Sequence, residues 1–230
     1  MTAPSGVGAV FDDARAGFLT WSPLVWDPVG EATVRAAALS PGERVLDACC
    51  AAGSSALPAA AAVGPSGHVD AVDLAGALVA DGRGRAGGLP QLAFHTADVT
   101  TWSGRAYHAV LCVFGVLLLP DMDAGGAHLA ALLRPGGRMA LTTWLRGSVE
   151  PLIGPFAQAV AAERGASDDV ALDEDLAWAF VTGAGTRAML AGLDDATVAR
   201  VRDRYAAALA AAGTDTFHLR ALVGVGHTAG

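Results

Sequence analysis

The sequence contains no lysine, because all 15 of its basic residues are arginine. A P-loop needs a lysine that reaches the β- and γ-phosphates, so that class of nucleotide-binding protein is excluded. The three cysteines, Cys49, Cys50 and Cys112, provide neither a disulfide framework nor the ligand spacing of a zinc site. We therefore expect no metal site, and we expect the cysteines to serve as small buried hydrophobic residues.

Long apolar runs and clusters of positive charge are also absent. No stretch of about 18 large apolar residues occurs, which argues against a membrane span. The first residues lack a basic region followed by an apolar core, so we expect no signal peptide and a cytoplasmic protein. The net charge is −8, with acids and arginines interspersed, which argues against a nucleic-acid partner. A length of 230 residues with 53% hydrophobic residues suits a globular enzyme, as a monomer or homodimer.

The most informative segment is residues 45–56, which read VLDACCAAGSSA. A short apolar run ends in an acid, small residues follow, and an alanine-rich helical segment begins. This pattern predicts a strand, a tight turn and a helix N-terminus, which α/β proteins use to hold a nucleotide-like cofactor. A second apolar strand ends at Asp73, about 20 residues after Gly53, and this spacing suits a carboxylate that accepts hydrogen bonds from both hydroxyls of a ribose.

The glycines of this turn indicate which cofactor it holds. A dinucleotide-binding turn has the pattern G-x-G-x-x-G, in which glycine lets the backbone approach a pyrophosphate. Aligned from Asp47, this chain has Cys49 and Ala51 at the early glycine positions and keeps only Gly53. A pyrophosphate is therefore disfavoured, and a cofactor with a ribose and an amino-acid tail fits better.

Four sequence blocks resemble those of the class I S-adenosylmethionine-dependent methyltransferases, in the branch similar to the ubiquinone/menaquinone C-methyltransferases. In chain order they are VLDACCAAGSSALPAA at the D-x-G-x-G-x-G turn, VDAVDLAG with the ribose acid, FHTADVTTW with the adenine-side acid, and LLRPGGRMALTTW at the turn into the fifth strand. They lie within residues 40–145. The resemblance implies S-adenosylmethionine as the cofactor and S-adenosylhomocysteine as its product.

The alternation of predicted strands and helices indicates an α/β fold with a Rossmann-like, doubly wound, mostly parallel sheet and an antiparallel terminal strand. The predicted strands are 44–48, 68–73, 92–96, 109–114, 138–144 and 217–227, with a weak further candidate at 169–172. The predicted helices are two or three within 9–39, then 54–63, 75–85, 124–133, 151–164, 172–181 and 194–212. We expect residues 1–40 to form a helical N-terminal lid and residues 41–230 a single Rossmann-like domain, in which 145–213 form a helical substrate-pocket region.

The resemblance also implies a cofactor site, whose residues are Asp47, Ala48, Cys49, Gly53, Asp73, Leu74, Asp98, Val99, Cys112 and Val113. Asp73 is expected to bind the ribose, and Leu74 to pack on the adenine. Asp98 is expected to accept from the adenine amino group beside the Val99 N–H. Asp47 is expected below the methionine end, and Cys112 and Val113 would present backbone to it. As alternatives, Asp47 and Asp98 could each simply cap a turn or helix, and Leu74 could belong to the core.

Four aromatic residues are candidates for substrate binding, namely Trp21, Trp26, Phe114 and Trp144. An aromatic box around a sulfonium would gain cation–π attraction and exclude water, although large aromatic residues also serve as core and lid material. No catalytic residue is assigned, because methyl transfer from a sulfonium releases a neutral thioether that needs no proton.

These observations predict transfer of a methyl group from S-adenosylmethionine to carbon, oxygen or nitrogen of a small molecule, in specialised-metabolite biosynthesis. One alternative is a protein of the same fold that binds this cofactor without transferring its methyl group, as a cyclase or a binding module. The other is a nicotinamide-dependent oxidoreductase, which the glycine-poor turn opposes.

Overall fold

The computed structural model describes residues 6–145, 147–164, 178, 181–182, 189–212 and 221–228. These residues form two compact units. The first contains the described residues of 1–12, 22–143 and 221–230, and the second those of 13–21 and 144–220. The domain division at residue 40 stays a prediction.

Helices and strands alternate along much of the chain. The helices are α1 (Val7–Asp13), α2 (Arg15–Trp21), α3 (Asp27–Ala37), α4 (Ala56–Val63), α5 (Gly76–Ala86), α6 (Met122–Ala131), α7 (Glu150–Arg164) and α8 (Asp195–Ala212). The strands are β1 (Arg44–Ala48), β2 (His68–Asp73), β3 (Leu92–Thr96), β4 (Tyr107–Val113), β5 (Leu133–Trp144) and β6 (Ala221–His227). A π-helix spans Ser22–Trp26, and 3₁₀-helices span Val99–Thr101 and Val116–Leu118. The predicted bounds of β1, β2 and β3 are confirmed.

The described strands form one six-stranded sheet in the order β3-β2-β1-β4-β5-β6. The pairs β3–β2, β2–β1, β1–β4 and β4–β5 are parallel. Directly after β6, the Thr228 N–H donates to the Gly137 carbonyl near the beginning of β5, so β6 runs antiparallel to β5. The predicted Rossmann-like fold class with an antiparallel terminal strand is confirmed.

Each face of the sheet has its own apolar cluster, as expected for parallel strands buried on both sides. On one face, Val45 and Ala71 pack with residues of α3, α4 and α5. On the other face, Leu46 and Val72 pack with Leu129 of α6. Because neighbouring residues of a strand point to opposite faces, the apolar residues of β1 and β4 supply both clusters.

The predicted start of β5 at Arg138 is wrong, since the strand begins at Leu133. Leu133 pairs with Tyr107 and Arg138 pairs with Ala109, so residues 134–137 form a bulge inside the ladder. This segment contains Pro-Gly-Gly, which was predicted as a turn before the strand. The bulge accommodates the extra residues while the pairing with β4 continues on either side.

Other expectations concern parts of the chain that lie largely or wholly outside the described residues. These are the weak strand candidate at 169–172, most of the predicted helix at 172–181, and residues 217–220 at the start of the predicted terminal strand. Within the described ranges, no helix combines the length and the mean hydropathy that a membrane crossing requires.

Candidate functional site

The predicted cofactor residues gather at the carboxyl edge of the sheet. The strand order reverses between β1 and β4, and ligands of open α/β sheets bind in the crevice at such a reversal. The turn after β1, residues 49–55, lies at this position between the ends of β2 and β4. The structure therefore brings together the three sequence segments that contain Asp47, Asp73 and Cys112.

The backbone of this turn is strained. Cys49 and Ala51 have φ angles of 60° and 45°, in the left-handed region that residues with a Cβ seldom adopt. Such conformations cost about 1–3 kcal/mol each and persist only where the surroundings hold them. Gly53, with φ 85°, adopts a positive φ without this cost. The turn thus keeps a glycine-type conformation at two positions where the sequence lacks glycine.

Asp73 lies at the end of β2 and bonds directly to this turn. Its Oδ2 accepts from the Ala51 N–H at 2.8 Å, and its Oδ1 accepts from the Ala75 N–H at 2.8 Å. Burial raises the pKa of Asp73 above its ordinary value, despite these backbone donors. Because each carboxylate oxygen can accept two hydrogen bonds, this partly exposed side chain retains the capacity to bind a diol.

Asp47 lies beneath the turn and is fully buried. The Ser55 hydroxyl lies 2.9 Å from both carboxylate oxygens, which fixes the first residues before α4. Burial raises the pKa of Asp47 to about 7, and the nearby negative charge of Asp73 contributes to the increase. In this arrangement, Asp47 supports the turn from below, while Ala48 packs in the core.

Asp98 follows β3 and caps the 3₁₀-helix at Val99–Thr101. Its Oδ1 accepts from the Thr100 N–H at 2.8 Å and from the Thr100 hydroxyl at 2.7 Å. The cap that was considered as an alternative is therefore present, on a side chain that also remains exposed. Leu74 is exposed at the same edge, where a Cβ on Gly8 of α1 would lie 2.6 Å from the Leu74 carbonyl oxygen.

The cysteines match the expectation of small packed residues in two of three cases. Cys50 and Cys112 are buried, whereas Cys49 is half-buried. A hydrogen bond with Cys112 and burial raise the pKa of the Cys49 thiol, which disfavours the reactive thiolate. Within the part of the chain that the structure describes, no group of three or more His, Cys, Asp or Glu residues is placed to hold a metal ion.

Two of the four candidate substrate-binding aromatic residues contact each other. The Trp26 and Phe114 rings meet edge to face with centroids 5.9 Å apart. Phe114 directly follows β4 and has a φ of 59°, which is unusual for a bulky residue and typical of positions held for a function. Trp21 and Trp144 belong to the second unit, where Trp21 is buried and Trp144 half-buried. Val113 is half-buried at the end of β4.

Two networks near the site were not predicted. Asp27 and Arg85 bond to the turn itself, and the only sequence signal for this pair is the Asp27-Pro28 dipeptide, which is typical of a helix start. Asp70, in the middle of β2, is bonded by Arg44, His68, His95 and Tyr107. Nothing in the strand pattern marked Asp70 as more than a polar residue of an apolar strand.

A separate apolar groove of about 430 Å³ lies between α6, β5 and β6. Its walls include Leu133, Met139, Leu141 and residues 224–228. None of the predicted cofactor or substrate residues lines it.

Comparison with known proteins shows similarity to methyltransferases. Residues 45–137 match the family described as "Methyltransferase domain". Aklanonic acid methyltransferase DauC of Streptomyces sp. (strain C5) is 30% identical over 154 residues, covering 65% of this chain and 70% of that protein. Demethylmenaquinone methyltransferase of Clavibacter sepedonicus is 32% identical over 147 residues, and nocamycin O-methyltransferase of Saccharothrix syringae is 31% identical over 139 residues. These alignments cover 60% and 54% of this chain, and 58% and 48% of the two relatives.

A solved structure shares the fold. It is the complex of the Haloferax volcanii Trm112 methyltransferase activator with a methyltransferase, and its matching chain gives a TM-score of 0.52 at 17% identity. The match covers 62% of this chain and 62% of that chain.

Proposed function

The chain belongs to the class I S-adenosylmethionine-dependent methyltransferases, and we propose that it methylates a small-molecule acceptor in the biosynthesis of a specialised metabolite. Its cofactor is S-adenosylmethionine. Two of the similar proteins are named for small-molecule natural products, aklanonic acid and nocamycin, which supports an acceptor of that class. The acceptor atom can be carbon, oxygen or nitrogen.

The observation that carries the proposal is the contact between Asp73 and the turn after β1. The Ala51 N–H donates to the Asp73 carboxylate, so the acid proposed to bind ribose and the turn proposed to face the amino-acid tail form one surface. Asp98 follows β3, the strand next to β2, and its exposed carboxylate suits an adenine amino group. These donors and acceptors fit an adenosyl amino acid that has no phosphate.

When bound, S-adenosylmethionine supplies a methyl group on a positively charged sulfonium. The residues of this chain have three tasks, which are to bind the cofactor, to orient it and to exclude water. Asp73 and Asp98 would fix the adenosine, while Cys112 and Val113 would offer backbone groups to the amino-acid end. Holding the acceptor in line with the methyl group is worth up to about 7–11 kcal/mol of the barrier. A general base is needed only where the acceptor has a high pKa.

Two assays test this function. Titration calorimetry should detect binding of S-adenosylmethionine and not of NAD. Incubation with cofactor labelled in its methyl group, together with aklanonic acid and demethylmenaquinone as candidate acceptors, should then yield labelled product. Binding without transfer to any acceptor would favour the cyclase or binding-module alternative, and binding of NAD instead would contradict the proposal.

The partners expected from the sequence also remain part of this proposal. We propose a small-molecule substrate, with no nucleic-acid partner and with a monomeric or homodimeric state.

A further inference from the structure

We propose that Asp27 and Arg85 are positioning residues that hold the cofactor turn in its strained, binding-competent conformation. The inference rests on the proposed role of this turn in binding S-adenosylmethionine. Neither side chain is proposed to contact the cofactor, since both act through the backbone and side chains of residues 52–54.

Three hydrogen bonds connect these residues with the turn. The Ser54 hydroxyl donates to Asp27 Oδ1 at 2.6 Å. Arg85 Nη2 donates to Asp27 Oδ2 at 2.8 Å, and Arg85 Nη1 donates to the Ala52 carbonyl at 3.0 Å. One guanidinium therefore joins the start of α3, the end of α5 and the turn between them. We call these four residues, Asp27, Ala52, Ser54 and Arg85, the turn clamp.

The backbone of α3 also approaches the turn closely. A Cβ on Gly30 would lie 2.3 Å from the Ser54 carbonyl oxygen, so only glycine allows this distance. Asp27 lies about one helical turn before Gly30, on the same side of the helix. The hydrogen bond from Ser54 to Asp27 and the close packing of Gly30 thus act on the same residue of the turn.

The strained backbone explains why the turn requires such a clamp. Cys49 and Ala51 have positive φ angles without being glycine, and a strained conformation persists only where neighbouring contacts determine it. Asp73 fixes the turn at Ala51, and the turn clamp fixes it at Ala52 and Ser54. If the clamp is removed, the turn should relax toward negative φ and lose part of its affinity for the cofactor.

The clamp also fixes one of the candidate substrate-binding residues. Asp27 directly follows Trp26, whose ring meets that of Phe114 at the end of β4. The same ion pair that holds the turn therefore anchors the segment that presents Trp26. The contact between Asp27 and Arg85 therefore helps to position both the turn and the Trp26–Phe114 pair.

The first test is the affinity for S-adenosylmethionine of R85Q and D27N, measured by titration calorimetry. We expect each variant to raise Kd by about tenfold, because a charge-assisted contact to the turn is lost. The Kd of the double variant should be at most about twice that of the single variant with the higher Kd, because both changes disable the same clamp. R85K, which keeps the positive charge, should recover part of the affinity.

A double-mutant cycle with A51G separates positioning from general stability. Glycine adopts the positive φ at position 51 without strain. The fold increase in Kd that R85Q causes should therefore be at least about threefold smaller in the A51G background than in the wild-type background. The matched control is R44Q, which breaks the Arg44–Asp70 ion pair of 3.0 Å in the same unit and does not touch the turn. R44Q should lower Tm and leave Kd unchanged.

Hydrogen exchange of the cofactor-free protein tests the clamp without relying on binding. R85Q and D27N should accelerate exchange in residues 49–55, and R44Q should not. If exchange in this segment is unchanged, or if A51G does not reduce the effect of R85Q on Kd, the inference is overturned. If the wild-type protein fails to bind S-adenosylmethionine, the proposed function fails, while the exchange measurement still decides the role of the clamp.

Discussion

Two groups of buried or partly buried acids in the first unit have opposite electrostatic surroundings. Asp47 and Asp73, at the carboxyl edge of the sheet, are held by a hydroxyl and by backbone N–H groups, and their pKa values are raised. Asp70 is only three residues from Asp73 in the same strand. Burial alone would raise the pKa of Asp70, but hydrogen bonds from Tyr107, Arg44 and His68 outweigh it and lower the pKa.

The difference separates an acid whose charge is compensated within the fold, Asp70, from the two acids proposed to serve the cofactor site. Asp70 has a cation at 3.0 Å and a phenol at 2.8 Å, so its negative charge is compensated within the fold. Arg44 also lies over the Tyr107 ring at 4.7 Å, which completes the cluster. Asp47 and Asp73 have no such cation among their described hydrogen-bond partners, and acids with raised pKa values in a crevice are typical of functional sites. Burial thus disfavours the charged forms of Asp47 and Asp73, whereas the charge of Asp70 is stabilised by its partners.

The largest effect that would sharpen this comparison is expected from Asp73→Ala. Loss of two charge-assisted hydrogen bonds to the ribose should cost about 2–3 kcal/mol, or about 30- to 150-fold in Kd for S-adenosylmethionine. The fold should persist, because the sheet pairing of β2 does not depend on this side chain. Calorimetry gives Kd, and circular dichroism gives the melting profile. A change in Kd of less than about threefold, with normal melting, would show that Asp73 does not bind the ribose.

Asp70→Asn is the comparison in the same strand. It should change the stability of the protein rather than its affinity for the cofactor. We expect the free energy of unfolding to fall by about 2 kcal/mol, below the usual cost of breaking a buried ion pair because Arg44 is partly exposed. Kd for the cofactor should stay within about twofold of the wild-type value. Urea unfolding and calorimetry measure the two quantities.

The pH dependence provides the control for Asp70→Asn. A carboxyl with a lowered folded-state pKa contributes stability above its ordinary pKa and loses it as the pH falls through the folded-state value. The difference in unfolding free energy between the wild type and Asp70→Asn should therefore shrink in acid. A difference that is the same at pH 7 and in strong acid would contradict the assignment of a structural charge to Asp70.

The parts of the fold that were predicted are those encoded locally. The bounds of β1, β2 and β3 follow from short apolar runs that end at glycine, proline or an acid. The start of β5 was predicted wrongly because Pro135-Gly136-Gly137 signals a turn, whereas strand assignment depends on the partner strand. Leu133 pairs with Tyr107 across the bulge, and no local pattern encodes that pairing.

In the candidate site, too, features encoded locally were predicted and contacts between distant segments were not. Asp73 was predicted because its spacing from the turn is fixed within one strand–helix–strand unit. Asp27 and Arg85 are 58 residues apart, and neither helix periodicity nor charge pattern indicates that they meet. The strain at Cys49 and Ala51 was also missed, since the loss of glycine suggested a different cofactor contact rather than a retained backbone conformation. Contacts between distant segments were thus the part that the sequence left open.

The smallest structural change is expected from Asp47→Asn, whose amide retains the shape of the carboxyl and an acceptor for the Ser55 hydroxyl. The folded-state pKa of Asp47 is about 7, above its ordinary value of 3.8. As the pH rises between these values, the unfolded chain releases the proton and the folded protein keeps it, so wild-type stability falls. The amide of the variant does not titrate, so the variant should gain about 3–4 kcal/mol relative to the wild type between about pH 4 and pH 8. Urea unfolding across this range measures the gain. If the two proteins show the same pH dependence, the folded-state pKa of Asp47 is not raised above its ordinary value, and the contrast between Asp47 and Asp70 is lost.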